Sequence, residues 1–346
     1  MHLLSSGPML ICVLLLGAAR AAAQDIHYSN LSAVPMQVNP AYTGLAEHRG
    51  RVGFDHRSQW SNFTNGYKTT SLSADFKAYQ RGGDVLGLGA HITSDQAGDL
   101  DFTTQQVSLN AAYTKALDRG RTFLSFGLQN VFSGQRIDWA KAEGFQYEPL
   151  SSLESGGKAA FWDVGAGMAL FLRPSRKQAW FAGVGAAHLN NPDVTFLADD
   201  DGSIGDRLYT KWTLHAGGEL HFGMHNSIRP SVLYLHQGPN RQLKVGSFWR
   251  YRNDRGLHTD AQIAVHFGAW LRTYFGRGGS GVDAVNFAAR FDYDKTSVVV
   301  SFDTNVSSLV VASDGFGGPE VALVQQFDWG STRRRRHKVK CPTFQY

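Results

Sequence analysis

From Arg51 onward the chain alternates apolar and polar positions with a period of two. In the stretch QQVSLNAAYT (105–114), Val107, Leu109, Ala111 and Tyr113 form one set, and Gln106, Ser108, Asn110 and Thr114 lie among the other. In VDAVNFAARFDY (282–293), Val285, Phe287, Ala289, Phe291 and Tyr293 alternate with Asn286, Ala288, Arg290 and Asp292. In TSVVVSFDT (296–304), Val298, Val300 and Phe302 oppose Ser297, Ser301 and Asp303, and in PEVALVQQFDW (319–329) Val321, Leu323, Phe327 and Trp329 share a face. Such alternation marks strands with one apolar and one polar side. About fourteen strands follow from it and from the turn residues between: 51–60, 67–78, 85–94, 103–117, 122–133, 161–172, 178–188, 209–222, 226–237, 242–252, 259–274, 282–293, 296–306 and 319–329. Most exceed the ~5–6 residues of an ordinary strand and suit a tilted bilayer-crossing strand of ~9–11.

The links test this independently. Those after the even strands are short: YQRGGD, DRGR, RPSRK, GMHN, NDRGLH and DK. Those after strands 3, 5, 7 and 13 are longer, up to the stretch 134–160, while the links after strands 1, 9 and 11 are short too. Alternating short and long links is the layout of an outer-membrane barrel, short turns on the periplasmic side. A soluble sandwich would pack about seven shorter strands per domain, and a propeller would show a repeat of ~40–50 residues, which the sequence lacks. The fold class read from the sequence is therefore all-β: a transmembrane antiparallel barrel of about fourteen strands in the bacterial outer membrane, both termini periplasmic. Tryptophans at strand ends (Trp162, Trp180, Trp212, Trp249, Trp270 and Trp329) are candidates for interfacial girdles or for ordinary packing.

The first residues fit export. The run Met9–Gly17 is apolar but too short to span a bilayer, and Ala21–Ala23 follow it, so a signal peptide over 1–23 with cleavage before Gln24 is predicted. Cys12 lacks the small residues that a lipoprotein-type site needs before it. The mature chain keeps Cys341 alone, which excludes an internal disulfide framework. The remaining divisions are an N-terminal periplasmic or lumen-plugging segment over 24–50, a barrel over 51–330 and a basic periplasmic tail over 331–346.

Composition agrees: 38 glycines, 12% aromatic, 18% charged and a mean hydropathy of −0.26. The formal charge of +5 is a property of the ends. Removing Arg20 and the six basic residues of the tail (Arg333, Arg334, Arg335, Arg336, Lys338 and Lys340) turns it to −2 for residues 24–332. A folded body of that charge does not suit nucleic acid. Placed under the last strand, the tail either meets anionic headgroups of the outer membrane, at ~1 kcal/mol per charge, or docks a periplasmic partner. Cys341 and Phe344 form its end, and a lone thiol there could pair with a partner's cysteine.

Candidate chemistry is sparse. His215, Glu219 and His221 share a strand face, but His215 and Glu219 lie about 13 Å apart at ~3.3 Å per residue, so one ion cannot bridge them and polar lumen lining is the better reading. GRGGSG (276–281) has dinucleotide-loop spacing but a strand follows it where that motif needs a helix; it reads as a hairpin loop. DDDGSIGD (199–206) has acids but not EF-hand spacing. No nucleophile–base arrangement appears. No enzyme, cofactor or metal site is predicted.

The predicted inner face carries charges of both signs, among them Asp55, Arg57, Asp75, Glu219, Arg290 and Asp292. That favours internal ion pairs over a single-sign channel. Fourteen strands enclose more than their own side chains fill, since ~8 is about the limit. Another segment is therefore expected inside: residues 24–50, the loop 134–160, or a partner's domain. Asn39, Pro40 and Tyr42 of NPAYTG, with Arg57, Gln59 and Trp60 of RSQW, are the lumen or plug candidates.

Several blocks now carry a resemblance: QDIHYSNLSAVPMQVNPAYTG (24–44), RSQW (57–60), SDQAGDLDFTT (94–104), RIDWAK (136–141), GAAHLNNPDVTF (185–196), KWTLHAGG (211–218), PSVLYLHQGPNRQLKVGSFWRY (230–251), DTNVSSLVVAS (303–313) and VKCPTF (339–344). Together they resemble the PorP/SprF family over nearly the whole mature chain. The resemblance implies an outer-membrane barrel of Bacteroidetes-type bacteria, tied to type IX secretion and in some members to gliding motility. It implies an accessory role, with partners of two kinds: secreted surface proteins such as large adhesins, and a periplasmic lipoprotein or ring component of the machinery. A porin or transport channel is the competing class. Two departures stand out: the four-arginine run, and Thr343 where the family pattern has a basic residue.

Overall fold

The computed structural model describes residues 25, 28–29, 33–60, 66–98, 100–138, 158–194, 207–253, 262–276, 279–307 and 315–329. Among them fourteen antiparallel strands close into one barrel, each paired with its sequence neighbours and β1 with β14. They are β1 (Gly50–Gln59), β2 (Tyr67–Arg81), β3 (Asp84–Ala97), β4 (Phe102–Leu117), β5 (Thr122–Arg136), β6 (Lys158–Ser175), β7 (Gln178–Ala187), β8 (Lys211–Phe222), β9 (Asn226–Gln237), β10 (Asn240–Asn253), β11 (Ile263–Gly276), β12 (Gly279–Tyr293), β13 (Thr296–Asn305) and β14 (Phe316–Phe327). The strand count and order follow the sequence pattern. The hairpins after β2 and β6 are tighter than read, whereas β8 and β11 begin later than read, at Lys211 and Ile263. Between β2 and β3 only Gly82 and Gly83 turn the chain, at φ 62° and 100°, where a β-carbon would be strained.

Gly50 pairs with Phe327, so the first and last strand ends share one rim, called here the near rim. The links after the even strands return at this rim, and those after the odd strands lie at the far rim.

Each strand turns its apolar set outward. On β1 Val52 and Phe54 are exposed while Arg51, Asp55 and Arg57 are buried; on β5 Phe126, Leu128 and Phe132 are exposed. An apolar belt of this extent is untenable in water and suits lipid. Trp162 and Trp212 stand on it toward the far rim, Trp180, Trp249 and Trp329 toward the near rim, all exposed. Trp270 departs from the girdle reading: it is buried inside, edge-on to Phe248 at 4.6 Å with Lys244 over its ring at 5.1 Å. Its neighbour positions His266 and Arg272 share its parity and are buried as well.

The described residues from Ala33 to Ala46, ahead of β1, lie inside the barrel. Helix α1 (Pro35–Val38) and a 3-10 turn (Pro40–Tyr42) are separated by Asn39, whose side chain caps the turn by accepting from the Ala41 N–H at 2.9 Å. Proline opens both pieces, where its missing N–H costs nothing. Two apolar seats hold them. Ala33, Val34 and Val38 pack with Leu233, Val299, Ala322 and Val324. Ala41, Tyr42 and Leu45 pack with Val85, Phe123, Ala169 and Phe171. Fully burying such side chains is worth about 1.5–3 kcal/mol each for the larger ones.

Candidate functional site

The lumen is the site, and residues 25, 28–29 and 33–49 with its inner wall make it up. Glycines on the wall admit the segment's backbone at close range. A β-carbon built on Gly53 would overlap the Ala33 carbonyl, on Gly87 the Thr43 carbonyl, on Gly127 the Pro40–Ala41 peptide, and on Gly167 the Asn39 side chain. Gly44 is needed for a second reason: it sits at φ 75°, and its N–H donates to Asp75 Oδ2 at 2.7 Å. Arg51 holds the same carboxylate with two bonds, at 2.9 and 2.8 Å.

Four polar clusters bind the segment to the wall. Asn39 Nδ2 donates to the carbonyls of Met168 and Val184, both at 3.0 Å, and His215 stands against Asn39 Nδ2 at 3.1 Å and the Tyr42 hydroxyl at 2.9 Å. Ser29 donates its N–H to Glu320 at 2.8 Å and its hydroxyl to Asp303 at 2.6 Å. Arg57 and Arg272 both bond Asp303 at 2.9 Å, and Lys244 donates to the Ser29 carbonyl. Tyr28 reaches Ser71 at 2.7 Å, and Ser73 donates to the Ala33 carbonyl at 2.6 Å. Buried charges held this way are paired and hydrogen-bonded, as a low-dielectric interior demands.

The fourth cluster lies at the far rim. The Asp25 carboxylate accepts from Lys211 Nζ at 2.6 Å, His188 Nε2 at 2.9 Å and Gln237 Nε2 at 3.2 Å. His188 Nδ1 meets Asp163 Oδ2 at 2.8 Å. Burial alone would push His188 down, but the Asp25 charge and the bond to Asp163 hold it up to about 9. Burial would likewise raise Asp25, but Lys211 and His188 hold its carboxyl well below the usual range.

Of the residues singled out in the sequence, the fold brings Asn39, Pro40 and Tyr42 together with His215. It puts Arg57 in the Asp303 cluster. Gln59 and Trp60 join neither; they lie where β1 ends, Trp60 donating to the Gly317 carbonyl at 3.1 Å and packing edge-on to Tyr67 at 5.4 Å. Glu219 is held by Arg229 and Arg250, each at 3.0 Å. Asp199, Asp201, Asp206 and the tail residues from Arg333 to Phe344 lie outside the described residues. Asp25 and His188 were missed: Asp25 precedes every strand, and His188 was read as the last residue of the seventh strand, which ends one residue earlier at Ala187; Glu320, Arg272 and Lys244 were missed although their parity placed them inside.

A closed barrel with an apolar outer belt and charged, bonded lumen is an outer-membrane barrel protein. Residues 20–316 match the family described as type IX secretion system membrane protein PorP/SprF, and the chain belongs to that family. No curated protein matches it. Among solved structures, it is similar to the CymD monoaromatic hydrocarbon channel (11% identity, TM-score 0.47, covering 87% of this chain and 94% of that one). The toluene transporter TbuX of Ralstonia pickettii (10%, 0.45, 86% and 94%) and a KdgM porin (7%, 0.35, 80% and 99%) are similar too.

Proposed function

We propose that this protein is an accessory barrel of the type IX secretion system that binds or anchors secreted surface proteins such as large adhesins, periplasmic machine components, or both. The observation that carries the reading is the occupied lumen. Residues 33–46 are clamped by strands on opposite sides of the barrel, through Ser73, Asp75, Ser125, Met168 and His215. A wall so engaged favours a binding role over solute passage. In this reading the near rim faces the periplasm, because the short turns and the basic tail belong there. The far rim, with the long links, faces outward and meets the secreted partner.

Pull-down from detergent tests it, with the full chain against a chain ending at Gly330. A large surface protein should co-purify with both, and periplasmic components with the full chain only. Recovery of the barrel alone in both cases would refute the binding role. High conductance of the intact chain in planar bilayers would favour the channel class instead.

A further inference from the structure

The N-terminal segment runs through the lumen with a definite polarity. At the near rim, Glu47 and His48 donate their N–H groups to Gln326, His48 meets Asp328 at 2.6 Å, and Arg49 donates to the Trp329 carbonyl at 2.7 Å. Residues 33–46 lie in between, all buried except the half-buried Gln37. Asp25 is bonded at the other end: to His188, the residue after β7; to Lys211, the first of β8; and to Gln237, the last of β9. These are far-rim positions. Buried Ser29 is 5% exposed, whereas the Asp25 side chain is 21% exposed, so the segment comes back toward solvent there. The reach is ample, since some twenty residues at up to ~3.3 Å each exceed an apolar band of ~25 Å.

We infer that the amino end of the mature chain is displayed at the outer mouth of the barrel, on the opposite side of the membrane from its carboxyl end, and that Asp25 latches it to the wall. The inference rests on the orientation proposed above, and it revises the reading that both termini are periplasmic: that reading fits the strand ends Gly50 and Phe327, not Asp25. On the cleavage before Gln24 expected from the sequence, a single residue precedes the latch. Charge explains the latch. Lys211 and protonated His188 are two cations, and the carboxylates bonded to them are Asp25 and, on His188, Asp163. Asp25 completes a balanced, partly buried foursome joined by charge-assisted bonds, the strong kind. The chain therefore offers its two ends to two compartments, and an extracellular partner can read the amino end without crossing the membrane.

The test is a short epitope placed at three sites of the full-length protein in its own cells: after Gln24, within 139–157, and between Gly82 and Gly83. Antibody on intact cells should stain the first two, and the third only after permeabilisation. Staining at 139–157 but not after Gln24 would overturn the display while leaving the orientation intact. Staining at Gly82–Gly83 but not 139–157 would overturn the orientation, and the display with it. Heat-modifiable migration verifies that each tagged barrel is folded. If the first insertion prevents assembly, Gln24→Cys in a Cys341→Ser background, which keeps Asp25, read with a membrane-impermeant maleimide replaces it: labelling of intact cells supports the display, and labelling only after permeabilisation overturns it.

Discussion

At the scale of single residues, the wall is shaped by what is missing from it. Gly127 faces the Pro40–Ala41 peptide so closely that a β-carbon has no room. The partner is backbone, which cannot rotate away as a flexible side chain can. Gly127→Val should therefore destabilise the docked segment at the upper end of the about 1–3 kcal/mol typical of overpacking, leaving the barrel ladder intact. Protease cleavage before Gly50 in the folded, heat-modifiable variant would be the sign; protection equal to the parent would count against the tight seat. Glycines of this kind were visible in the sequence only as a high count. Their role depends on a partner far along the chain, and alternation carries no information about it. The same limit hid the apolar seats: Phe123 and Phe171 face inward between outward-facing neighbours, so they read as plain apolar runs.

At the scale of elements, the strands were legible because each has its own period, and the lipid imposes that period on every one. The N-terminal segment was not, because it has no period of its own; α1 and the 3-10 turn exist through the wall that holds them, too short to form alone. Its latch makes an element-level prediction. His188 is raised to about 9, so its contribution is full below its ordinary value of ~6.5 and is lost as pH rises through 9. Asp25 is depressed below its ordinary 3.8, so its contribution is present above that value and lost as pH falls through the folded one. The latch thus holds from mildly acidic pH to about 8 and opens in alkali. Hydrogen exchange or proteolysis of the segment around Asp25 should accelerate between pH 8 and pH 10 in the parent. In His188→Gln the segment should be exposed already at neutral pH, with little further change. An equal alkaline response in both would remove His188 from the latch.

At the scale of the whole molecule, the barrel and its contents form one object. A fourteen-stranded cylinder alone would leave space between its walls, and here that space holds the same chain, bonded to β2, β3, β5, β6, β8 and β14. Two consequences are separable. If the segment is a filling, the intact chain should conduct little in planar bilayers, and a chain lacking 25–46 should conduct clearly more, because its lumen then approaches the open class. If the segment is also a scaffold for closure, the shortened chain should refold slowly or not at all. Adding a synthetic peptide of residues 25–46 during refolding should then restore heat-modifiable barrel, since the contacts are non-covalent. Equal conductance and equal refolding of the two chains would mean that the lumen is filled by something other than its own amino end. The single-chain arrangement has a thermodynamic reason: tethering holds the segment at an effective concentration that a separate plug would need a high supply to match. It also ties the state of the lumen to events at both rims, since the segment is bonded to each.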